Sequence, residues 1–309
     1  MSNRGIKFLR IVVGLFKQTA QEWIEDDAPQ LGAALAFYSV FSLAPMVLIA
    51  LALIGFFGRN DPVGIWSLMI QQMGYFLDKS AIHVVQDVAQ HVASPGTSAL
   101  GGVIGLGVAF FGVTGVFTQL QHSLNVIWGV KVKPGSGLWG FLRSRLLSFA
   151  VLAGIAFLLL VSLVVEALIK ALSLYFETFL PGSLSVIVPI YLVIDLTVVI
   201  AVFAMIFKVL PDVTTRWRDV WIGAVLTAIL FLIGKWGLGI YLGSSTAASA
   251  YGAASSLITL LLWVYYSSQI LLFGAEFTQV YATCRGAPIE PDQYSVGVER
   301  KEIEKPIRT

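Results

Sequence analysis

A chain of 309 residues is long enough for two ordinary soluble domains, but 57% of it is hydrophobic and only 12% charged, about half the charge of a typical globular chain. A mean hydropathy of +0.82 means more apolar side chain than one buried core holds, so the expected class is an all-α polytopic membrane protein. Twenty Lys and Arg against 18 Asp and Glu leave a net charge of +2, too balanced for a nucleic-acid-binding surface, and the single cysteine, Cys284, excludes an intrachain disulfide framework.

At the N-terminus, Ile6, Leu9, Val13, Phe16, Ala20 and Trp23 recur at three- and four-residue steps, flanked by Lys7, Arg10 and Lys17. Residues 1–31 are therefore expected to form a cytoplasmic amphipathic helix, either lying on the membrane face or packed against the bundle. The run Ile11 to Phe16 is too short for the apolar region of a signal peptide. Stretches without Asp, Glu, Lys or Arg, interrupted only by Asp195 within 178–207 and Lys235 within 220–275, then mark six spans within 32–282, at about 32–57, 99–121, 146–167, 184–208, 219–242 and 253–280. Each is close to the roughly 20 apolar residues that a crossing helix needs.

Between the first two spans lies an external segment, about 59–96. Asp61-Pro62 starts a helix and Ser94-Pro95-Gly96 stops one. Ile65, Leu68, Met69, Met73, Phe76, Leu77, Val84, Val85, Val88 and Val92 share its apolar face, with a break expected near Asp78-Lys79. Six spans put both termini on one side with Lys131, Lys133, Arg143, Arg145, Lys208, Arg216 and Arg218. With the basic residues of the two ends, that side collects sixteen Lys and Arg, and the other holds Arg59, Lys79 and Lys170. The bias orients both termini to the cytoplasm.

The polar and conformationally special residues inside the spans are the candidate sites. Pro45 removes a backbone donor from the first span and predicts a kink. Gly101, Gly105 and Gly112 (with Ala109) form a small-residue face in the second span, for close packing or a hinge. Gln119, His122 and Asn125 follow at three-residue steps. Asp195 falls about eleven residues into the fourth span, and a charge at that depth marks a functional site by default. Lys235 in the fifth span either snorkels outward, pairs with Asp195 as a structural ion pair, or shares a substrate or proton site with it. Gln269 and Glu276 place polar groups in the sixth span. The three histidines, His83, His91 and His122, lie on separate elements, and no zinc, phosphate-loop or nucleophile-elbow motif is present. No enzyme, cofactor or metal is expected.

Four segments resemble the YihY / virulence factor BrkB family: GAALAFYSVFSLAP (Gly32 to Pro45), LNVIWGV (Leu124 to Val130), LPDVTTRWRDVWIGA (Leu210 to Ala224) and YGAASSLITLLLWVYYSSQILLFGAEF (Tyr251 to Phe277). The resemblance covers roughly residues 20–285 in order. It implies a bacterial inner-membrane protein of six spans, with Pro45, Pro211, Trp217, Gly252 and Gly274-Ala275-Glu276 as signature positions and no transferable catalytic role. Members have carried the label ribonuclease BN, which the residues here do not support. Roles in virulence and envelope lipid handling have been proposed for the family.

The functional expectation is a transporter or flippase-like protein for a lipid or other amphiphile. Its expected partners are membrane lipids, with a homo-oligomer or an envelope protein as further partners and no nucleic acid. The alternative is a non-transporting membrane scaffold or envelope assembly factor. Residues 283–309 are polar and expected to be a flexible cytoplasmic tail.

Overall fold

The computed structural model describes residues 3–57, 62–74, 82–83, 85–87, 115–133, 154–155, 157–158, 161–162, 184–244, 255–287 and 289–298. Helix α1 (Asn3–Glu25) turns through Asp27, whose φ of 54° lies in the left-handed region, into α2 (Ala28–Phe57). Helix α3 (Pro62–Met73) begins on its proline, where the missing N–H costs nothing. Residues 115–127 are helical (α4) and lead into strand β1 (Val130–Val132). Helix α5 (Leu184–Val209), strand β2 (Val213–Thr214), α6 (Trp217–Ser244) and α7 (Ser255–Cys284) follow, then β3 (Glu290–Pro291) and β4 (Ser295–Gly297). α7 ends in a left-handed glycine cap: Gly286 has φ 71°, and Ala287 N donates to the Ala282 carbonyl at 3.1 Å.

The charge-free stretches thus correspond to helices: α2, α5, α6 and α7 lie within a few residues of the expected first, fourth, fifth and sixth spans. By length and composition, Trp217–Leu238 and Leu257–Cys284 suffice to cross a membrane. Most of the second and third expected spans, Gly101, Gly105, Gly112, Gly252 and the break at Asp78-Lys79 fall outside the described residues. α2 remains helical through Pro45.

One face of α6 explains what surrounds the molecule. Trp221, Val225, Ile229, Ile233, Trp236 and Ile240 follow at three- and four-residue steps and all are exposed, Ile233 by 62% and Trp236 by 73%. The stripe runs about 28 Å along the helix, close to the roughly 30 Å of bilayer hydrocarbon, with tryptophans near each end as in interfacial belts. In water such a stripe would be a large exposed apolar patch; in lipid it costs nothing.

The opposite side of α6 is buried. Val220, Ala224, Thr227 and Ala228 have no exposed surface. Edge-on aromatic contacts run from Trp128 to Phe207 (6.4 Å between centroids), and from Phe203 through Phe231 (5.6 Å) to Trp263 (6.3 Å), tying β1's approach to α5, α6 and α7. α6 and α7 approach through a reciprocal pair of small residues. A Cβ on Gly223 would stand 1.8 Å from Thr278 Oγ1, and one on Gly274 would stand 1.8 Å from Thr227 Oγ1. Each threonine folds its hydroxyl back onto a carbonyl of its own helix, Thr227 to Gly223 and Thr278 to Gly274, both at 2.7 Å. No polar group is thereby left unmet at the contact.

The C-terminal segment corrects the expectation of a flexible tail from residue 283. α7 continues to Cys284, and residues 289–298 form strands paired with two distant connections. β4 pairs antiparallel with β1 (Lys131 opposite Val296), and β3 with β2 (Thr214 opposite Glu290). Residues 299–309 lie outside the described residues. The physical reason for the order is hydrogen-bonding partners: Lys133 N donates to Tyr294 O at 2.9 Å and Val298 N to Gly129 O at 2.7 Å. Composition does not reveal such partners, because they lie elsewhere in the chain.

Candidate functional site

Strand pairing collects the 129–133 and 210–216 connections and the 289–298 segment at one end of the bundle, beside the C-terminal end of α1. α1 packs there along Phe16, which meets Phe273 at 6.3 Å and Phe277 at 5.5 Å on α7. Leu9 and Val13, on the predicted apolar face, instead stay 63% and 59% exposed. The helix therefore both packs on the bundle and keeps an apolar flank free.

Asp212 knots this end. It is buried, and its Oδ2 accepts from Gln121 Nε2 at 3.1 Å and Asn125 Nδ2 at 2.8 Å. Its N–H donates to Asn125 Oδ1 at 3.0 Å, and its carbonyl accepts from Ser295 Oγ at 2.7 Å and Asp292 N at 3.0 Å. One residue thus joins α4, the α5–α6 connection and the 289–298 segment. Asp212 and Gln121 were not singled out by spacing, because their partners stand 91 residues apart.

Beside the knot lies a cavity of about 710 Å³, within the range of small-molecule sites. Glu22 and Glu25 line it from α1, Asp26 from the turn that follows, His122 and Asn125 from α4, Lys131 from β1 and Gln279 from α7. Behind this lining, Glu276 has no exposed surface, and neither carboxyl oxygen accepts a hydrogen bond. Its nearest charged neighbours are Asp26 and Glu22. Asp26 is itself an acid and joins Glu276 only through a shared proton. Gln279 Oε1 and Gln269 Oε1 are likewise buried without a donor, and the indole N–H of Trp23 on α1 is buried without an acceptor.

The remaining expected site residues separate. Gln119 stays local, its Nε2 reaching Ser123 Oγ at 3.4 Å. Gln269 lies against the backbone of Gly32, whose added Cβ would stand 2.0 Å from its Nε2, and that nitrogen meets the Pro29 carbonyl at 3.5 Å. Lys235 donates to the carbonyl of Gly74, just past the last turn of α3, where a cation complements the helix end. Asp195 is half-buried on α5. Of the expected set, His122 lines the cavity and Glu276 stands behind it. Among the described residues, no group of three His, Cys, Asp or Glu is arranged to hold a metal ion.

The family model for "Virulence factor BrkB" matches residues 19–296, nearly the whole chain. The chain belongs to the virulence factor BrkB family. Three relatives of this BrkB-family protein are named UPF0761 membrane proteins. One, from Stenotrophomonas maltophilia (strain K279a), is 28% identical over 278 residues, covering 87% of this chain and 61% of the relative. Another, from Ralstonia nicotianae, is 28% identical over 256 residues, covering 81% and 55%. A third, from Pseudomonas aeruginosa (strain UCBPP-PA14), is 26% identical over 278 residues, covering 88% and 62%. The chain spans about three fifths of the length of these relatives. No solved structure matches it. The BrkB-family chain is a membrane protein, as the relatives' names and the α6 stripe agree, and those names carry no enzymatic activity.

The family signatures now have physical content. GAALAF opens with the glycine that admits Gln269, WIGA carries Gly223, and GAEF carries Gly274 followed by the buried Glu276. Trp217 lies beneath Lys208, whose Nζ is 5.7 Å from the ring centroid.

Proposed function

We propose that this BrkB-family protein transports a lipid or other amphiphile across the bacterial inner membrane. It does so with six spans, both termini in the cytoplasm, and the α1–α4–α7 cavity as its cytoplasmic vestibule. The observation that carries the reading is Glu276, a carboxyl sealed in a helix-packed interior next to a ligand-sized cavity. A structural protein gains nothing from such a group, whose burial without a donor costs free energy. Asp195, deep in α5, is the second polar group assigned to the pathway.

The test is movement of fluorescent lipids between leaflets of vesicles containing the purified protein. Wild type should accelerate exchange, and Asp195→Ala should lower the rate about tenfold or more while the protein accumulates and melts as wild type does. Exchange no faster than in protein-free vesicles would overturn the reading. Topology is tested separately: reporters fused after Thr309 and within Lys131–Arg145 should both report the cytoplasm.

A further inference from the structure

Apart from the Ser267 hydroxyl on the other side of the helix, three residues of α7 hold buried oxygens without a donor: Gln269 Oε1, both oxygens of Glu276, and Gln279 Oε1. Their spacing of seven and three puts them along one side of the helix, spread over about 15 Å. Gln279 opens on the cavity, Glu276 is sealed behind it with 0% exposure, and Gln269 sits deeper, against Gly32 and Pro29 of α2. The unmet atoms of this row are the acceptor oxygens of its side chains. The elements packed around the row add Glu22 and Glu25 from α1, Asp26 from the turn that follows, His122 from α4 and Lys131 from β1.

A row of acceptors is matched by a guest that donates and does not accept. A primary ammonium carries three N–H donors, no acceptor and a positive charge that complements the acids gathered here, Glu276, Asp26 and Glu22. A guanidinium also only donates, but its planar fork calls for a two-oxygen partner at one point, rather than single oxygens spaced along a helix. Metal coordination is not the alternative, since no suitable cluster exists among the described residues. We infer that the Gln269–Glu276–Gln279 side of α7 is a binding track for a primary ammonium group, so that the transported amphiphile bears an amine headgroup. This rests on the transport reading for its direction, but the binding it requires is measured independently.

The probes are three short-chain phospholipids that differ only in the headgroup: ethanolamine, N-acetylated ethanolamine and choline. The second lacks the charge, and the third keeps the charge but has no N–H. Binding to the purified full chain in detergent should favour the first by about tenfold or more over both others. Glu276→Gln should abolish this preference without lowering the melting temperature, and Gln279→Leu, at the cavity mouth, should weaken it. Should Glu276→Gln fail to fold, Gln279→Leu and the three-headgroup comparison still decide. Equal affinity for all three headgroups, or a preference unchanged in both variants, would overturn the assignment. If vesicles exchange every headgroup at one rate, transport stands and the amine assignment falls. If amine binding is selective but no lipid moves, the site stands and transport falls.

Discussion

At the residue scale the protein treats two buried carboxylates in opposite ways. Asp212 is given two side-chain donors, and its backbone is bonded as well. Glu276 is given none. The first pattern belongs to structure, because removing the carboxylate strands Asn125 and Gln121 in a buried place. Asp212→Ala should cost about 1–3 kcal/mol for the groups left unmet, read as a lower melting temperature in detergent. It should also speed proteolysis within 289–298. An unchanged melting temperature would show that the knot is not a stabilising element. The presence of Glu276 near the end of an apolar run was legible in the sequence, but its burial was not, since an acid at a helix end reads as solvated at the interface. Nor was its lack of a donor, because that depends on α1, which approaches from more than two hundred residues earlier.

At the element scale, helices were readable and strands were not. Hydrocarbon imposes its constraint on every residue of a crossing segment, so charge-free stretches reveal α5, α6 and α7 to within a few residues. β2 and β3 are two residues each, and their order comes from partners 76 residues away. No local pattern encodes that. The close α6–α7 contact was also hidden: the small-residue motif noticed first lies in the second span, whereas the described contact uses Gly223 and Gly274. Gly274→Ala should overpack this contact at about 1–3 kcal/mol, seen as reduced yield and melting temperature. Adding Thr227→Ala, which removes the colliding hydroxyl, should recover part of the loss. For α3, Lys235→Met should leave the bundle intact but raise amide hydrogen exchange across 62–74, because the carbonyl at the helix end loses its cation.

At the scale of the whole molecule, the two ends of the bundle are held differently. One end is gathered by strands, the Asp212 knot and α1. At the other, helix α3 is tied by Lys235. The strand-bound end should therefore exchange amide hydrogens more slowly than α3 in native membranes, measured peptide by peptide.

The pairing of β1 with β4 also sets a timetable. Lys133 finds its backbone and side-chain acceptors about 160 residues later in the chain. At roughly 5–20 residues per second on the ribosome, β1 waits on the order of ten seconds for its partner. Throughout that interval the strand-bound end of the nascent bundle hangs unlaced. Closure is a late event in biogenesis, and a chain stalled before residue 295 would sit in the bilayer as an open, protease-visible intermediate.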